Sequence, residues 1–160
     1  MREAAGKGAS RLKYFLVDYE NVQPKNLAVL QGQPVRLIVF MGANQNKVPL
    51  EFARALQALG ENAEYVQISG SGSNALDFHI AYSLGIFSQE DPKGEFYIVS
   101  NDTGFDPLLK HLREKGIHAQ RLKEIAAAPL LRAAGAAPEQ EKLEAILRNL
   151  ASRTTGSASG

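Results

Sequence analysis

Between residues 12 and 123, short β-rich apolar runs alternate with stretches whose apolar residues recur at helical spacing. That alternation leaves few architectures open. The strand-like runs are Lys13 to Asp18, Val35 to Met41, Ala63 to Ile68, Phe96 to Val99 and, more weakly, Ile117 to Leu122. Helix-like segments fall between them. Pro24 opens one that reaches about Gln31, and Pro49 to Leu59 carries Leu50, Ala53, Leu56 and Leu59 on one face, with Gly60 to close it. Asn74 to Leu84 presents Leu76, Ile80 and Leu84, and Pro107 to Lys115 stops at Gly116. Strands that alternate with helices predict an α/β fold with a parallel sheet, right-handed crossovers and helices on both faces.

The flanks read differently. Residues 1–11 and 152–160 are small and polar, as flexible tails are. Residues 124–151 are Ala-rich, broken by Pro129, Gly135 and Pro138, and end in a predicted helix from Glu139 to Leu150. We read them as a helical extension that packs on the sheet or reaches a partner. No stretch suits a signal peptide or a membrane span. With no cysteine, disulfides, thiolate metal sites and cysteine nucleophiles are excluded, and a reducing cytoplasmic setting fits. A net charge of +1 excludes nucleic-acid binding by bulk charge alone.

The informative acids stand at element ends. Asp18 closes the first strand and Asp102 follows the fourth. In open α/β sheets ligands bind beyond the carboxyl ends of the strands, at a switch in strand order. If strands one and four are neighbours, Asp18 and Asp102 face one crevice. Asp106, before Pro107, and Asp77, in the first turn of the Asn74 helix, come from the same end. Four converging carboxylates repel unless cations lie among them, and an all-oxygen donor set suits Mg²⁺ or Mn²⁺. Each acid also has a plainer reading. Asp106 can cap a helix, Asp77 can answer the helix dipole, and Asp18 and Asp102 can be turn residues. Asn21 either orients a phosphate or water or makes an Asx turn; Asn74 is a helix cap or a substrate contact. Glu20 faces either solvent or the site.

Gly70-Ser-Gly72-Ser-Asn-Ala75 matches the letter of a dinucleotide fingerprint, but it follows the third strand and lacks the downstream acid. Asp18-Tyr-Glu20 lacks the second Asp of a phosphoaspartate phosphatase. Lys110, His111, Arg113, Lys115, His118, Arg121 and Lys123 crowd one segment, as a solvated face or a phosphate-tracking groove. Lys47 and Asn44 follow strand two and are further candidates to touch substrate. Tyr19 and Phe105 are candidates to stack a base or to pack the core.

Three blocks carry a family resemblance: Leu16-Val-Asp18-Tyr-Glu-Asn21-Val22, Ser73-Asn74-Ala-Leu-Asp77-Phe-His-Ile-Ala81-Tyr82, and Val99-Ser100-Asn-Asp102-Thr-Gly-Phe105-Asp106-Pro-Leu108. In order and spacing they resemble the blocks of PIN-like nuclease domains, in particular the bacterial PIN-like and NYN subgroup, over about residues 12–122 of a domain placed at 12–123. The resemblance implies a three-layer sandwich with a parallel sheet ordered 3-2-1-4-5. It implies a metal-dependent endoribonuclease in which Asp18, Asp77, Asp102 and Asp106 hold Mg²⁺ or Mn²⁺ and activate water. Asn21 and Ser100 match positions of the family pattern, and Asn74, Lys47 and Lys110 join them as substrate-contact candidates. RNA is the implied partner, with its single-stranded form and a homodimer left open and with no membrane. Asp77 stands alone where some relatives have paired acids, which leaves one or two metals open. The alternative is a domain of the same fold kept as an RNA-binding or protein-interaction module with little catalysis.

Overall fold

The computed structural model describes residues 11–128 and Leu147; the expectations placed on residues 1–10 and on the rest of 129–160 lie outside the described residues. Five strands, β1 (Lys13–Asp18), β2 (Val35–Met41), β3 (Ala63–Gln67), β4 (Glu95–Val99) and β5 (His118–Leu122), form one sheet in the order β3-β2-β1-β4-β5. Every pairing is parallel. Helices α1 (Leu50–Ala58), α2 (Ala75–Glu90) and α3 (Asp106–Glu114) supply crossovers. This is the α/β sandwich expected from the alternation of strands and helices, with the strand order that the resemblance implies.

The central strand explains the layering. All six residues of β1 are buried, because it has neighbours on both sides and helices on both faces. Alternate side chains part to opposite cores. Phe15, Val17 and Tyr19 join Phe52, Leu56 and Leu59 from the α1 side. Tyr14 and Leu16 join Leu76, Ile80 and Leu84 of α2 and Leu109 of α3. The same parity runs through β4, with Phe96 and Ile98 on the α2 face and Tyr97 and Val99 on the other.

Three local expectations change. The Pro24–Gln31 segment is a single 3-10 turn, Leu27–Leu30, because Asn26 adopts the left-handed region (φ 59) and breaks the helical path. The Asn74 helix begins at Ala75 and continues past Gly85 to Glu90, as Leu84 and Ser88 keep its inner face buried. Asn74 does not cap it with its side chain; it turns the chain through a left-handed conformation (φ 72). Tyr19 and Phe105 are core residues, Tyr19 lying against the Phe52 ring (centroids 5.0 Å). Among the described residues no helix is long and apolar enough to cross a membrane.

At the opposite end of the sheet, Gly94 brings the chain into β4 through a narrow gap. A methyl group there would lie 2.9 Å from Tyr14 Cε1 and 3.0 Å from Phe96 Cζ, two rings stacked at 4.7 Å. Gly94→Ala must part that stack, and we expect a loss of about 1–3 kcal/mol, read as a lower urea midpoint with an unchanged slope.

Candidate active site

Strand parity delivers the first acid. Asp18 continues the series Tyr14, Leu16, so it faces the α2 side, toward the helix that carries Asp77 near its start. Register delivers the second group. Val17 pairs with Val99, which sets Ser100 beside Asp18 on the same face. Ser100 is fully buried, and its hydroxyl donates to Asp18 Oδ2 at 2.8 Å while accepting the Asp102 N–H at 3.0 Å. It braces two acids from beneath the crevice, a position closed to substrate.

Asp102 follows in an extended conformation and caps the short turn Thr103–Phe105, its Oδ1 accepting from Gly104 N at 2.8 Å. Asn21 links the two strand-end loops, since its Oδ1 accepts from Asn101 N at 2.9 Å. Its own N–H bonds back to the Asp18 carbonyl at 3.0 Å. The amide expected to make a local turn therefore ties β1 to β4.

Electrostatics show that the acids share one space. Burial, then the nearby Asp77, Glu20 and Asp102 charges, push the Asp18 carboxyl above its ordinary value, against the relief that Ser100 gives. Asp77 is pushed up by burial and by Asp102, which is near enough to share a hydrogen bond with it, and by Glu20. Glu20 thus belongs to the acidic group. It turns its carboxylate across Gly42 at the end of β2, where any β-carbon would collide with it. Its position in the turn after β1 takes it out of strand parity, which is why spacing could not assign it. Among the described residues no Lys or Arg forms an ion pair with Asp18, Asp77 or Asp102.

Asp106 is arranged differently. It neither caps α3 nor joins the unpaired acids. Its two oxygens accept from Arg121 Nε (2.8 Å) and Nη2 (3.2 Å), and that guanidinium holds its carboxyl below the ordinary range. Arg121 also donates from Nη1 to the Ser100 carbonyl at 3.2 Å, and its charge reaches Asp102. Lys47, Lys110 and Asn74 are exposed, Lys47 in the loop beyond β2, Lys110 on α3 and Asn74 at the start of α2. Neither lysine is bonded to another side chain among the described residues.

The donor set around Asp18 is entirely oxygen and carries surplus negative charge, which fits a hard divalent cation. Among the described residues no three carboxylates or imidazoles stand close enough to hold a metal ion as they are placed. Asp18, Asp77 and Asp102 are the groups a cation would draw together. One consequence is testable without catalysis. Because Asp77 is raised above its ordinary 3.8, its ionised form is disfavoured in the folded chain, so stability is lost as pH rises through the carboxylate range. Asp77→Asn removes that cost. We expect metal-free Asp77→Asn to melt higher than the unaltered chain at neutral pH, with the gain vanishing below the ordinary carboxylate pKa.

A family model described as a PIN domain matches residues 12–122. No characterised protein and no solved structure matches the chain.

Proposed function

The chain belongs to the PIN domain family, which gives it a nuclease fold, and from that premise we propose a Mg²⁺- or Mn²⁺-dependent endoribonuclease. One observation carries the reading: three carboxylates without an ion-pair partner among the described residues, Asp18, Asp77 and Asp102, come together at the carboxyl end of the central strands, where the Asp77 and Asp102 charges raise the proton affinity of Asp18 and the Asp102 charge raises that of Asp77. A protein gains nothing structural from such repulsion, whereas a divalent cation turns it into attraction.

A cation bound there would supply an activated water and neutralise charge on the phosphodiester. The chain's own groups prepare for it. Asp18 is held by the Ser100 hydroxyl with one oxygen engaged, and Asp102 is fixed by its cap to Gly104. Asn21 keeps the two loops at a set separation. Exposed Lys47, Lys110 and Asn74 are available to meet phosphates along a single strand of RNA. The Asp18-to-Asn21 spacing supports the NYN subgroup, and a chain without cysteine suits the cytoplasm.

A binding module is the second reading. It is favoured by the absence of a preformed three-ligand cluster among the described residues and by the commitment of Asp106 to Arg121. Incubation of the full chain with end-labelled single-stranded RNA and matched DNA separates the two. We expect internal RNA cuts with Mn²⁺, none with EDTA, and slower cutting of DNA. Cleavage that survives EDTA contradicts the metal mechanism. RNA retention with no cutting at saturating Mn²⁺ selects the module.

A further inference from the structure

We infer that Asp106 serves the site through Arg121, as a positioning residue, and is not a ligand to the cation. The inference rests on the proposed cation site and concerns how this chain builds it. Both Asp106 oxygens are occupied by one guanidinium in a two-pronged pair at 2.8 and 3.2 Å. For Asp106 to turn toward Asp18, that fork must open, leaving a guanidinium that is only 16% exposed without its counter-charge.

The geometry gives the pair a task of its own. Arg121, on β5, reaches over to the Ser100 carbonyl at the end of β4. The hydroxyl of that same residue holds Asp18 and the Asp102 N–H. The connected path therefore runs from Asp106 through Arg121 to the backbone that sets the separation of Asp18 and Asp102. The Arg121 charge also reaches Asp102, while Asp106 stays outside the crevice in its pair with Arg121.

A double-mutant cycle on the full chain tests this, with Asp106→Asn, Arg121→Gln and both together beside Asp102→Asn. Two quantities are read: Mn²⁺ affinity, from the electron paramagnetic resonance signal of free Mn²⁺, and urea stability without metal. A positioning role predicts that Asp106→Asn and Arg121→Gln each weaken Mn²⁺ binding about three- to tenfold. The double variant is no worse than the poorer single one. Asp102→Asn weakens binding at least tenfold more than either. Arg121→Lys, which keeps the charge but not the fork, falls between the unaltered chain and Arg121→Gln and covers the case of a poorly folding glutamine variant. Asp106→Asn as damaging to affinity as Asp102→Asn, with Arg121→Gln harmless, makes Asp106 a ligand and overturns the inference. Loss of stability with unchanged Mn²⁺ affinity overturns it as well, reducing the pair to scaffolding. Absence of Mn²⁺ binding by the unaltered chain is a different result, and contradicts the metal reading itself.

Discussion

On the proposed function, Asp102→Asn is expected to leave the chain folded and to lower the rate of RNA cleavage by about three orders of magnitude. The size follows from what the charge does. A bound divalent cation contributes several kcal/mol to stabilising a phosphoryl transition state, and about 4 kcal/mol corresponds to roughly a thousandfold in rate. The fold is spared because the amide keeps the shape and its Oδ1 can still accept the Gly104 N–H that closes the turn. Only the charge is lost. Single-turnover cleavage at saturating Mn²⁺ gives the rate, and thermal melting gives the control. A fall of less than about tenfold, in a variant that melts normally, would remove Asp102 from the chemistry.

The second large effect is at Ser100, which never meets substrate. Ser100→Ala deletes the hydroxyl that donates to Asp18 and receives the Asp102 N–H. Two buried or half-buried polar groups then lose a partner, at a cost of about 1–3 kcal/mol. The site suffers further. A carboxylate with no donor swings and repels its neighbours more freely, and loss of such a supporting partner weakens metal affinity by about 10–100-fold. Urea unfolding and calorimetric Mn²⁺ titration measure the two losses separately. Stability lost with affinity retained would make Ser100 a packing residue alone.

Most of this architecture is legible in the sequence because it rests on two short-range rules. Alternation of β-rich and helical runs implies the parallel sheet, and parity within β1 carries Asp18 to the same face as Leu16. Helix ends were less legible. Helical spacing of leucine and isoleucine ends α2 at Leu84, yet Ser88 is also buried on that face and the helix runs on to Glu90. Pro24 suggests a helix that one left-handed residue, Asn26, reduces to a turn. The site divides along the same line. Asp18, Asp77 and Asp102 are fixed by strand ends and a helix start, so spacing finds them. The Asp106–Arg121 pair joins α3 to β5 across 15 residues, and local spacing says nothing of which base an acid will choose. Glu20 lies in a turn, where no periodicity governs its direction. The near balance of acids and bases conceals all of this, because unpaired acids gather at one crevice while Arg121 and the exposed lysines lie on other elements.

The central claim is that Asp18, Asp77 and Asp102 form the cation site of a nuclease. Anomalous diffraction from a crystal of the full chain soaked in Mn²⁺ addresses it most directly. A peak is expected within ligand distance of Asp18 and Asp102, with Asp77 drawn toward it and Asp106 still paired with Arg121. A saturated crystal with no peak between Asp18 and Asp102 would contradict it.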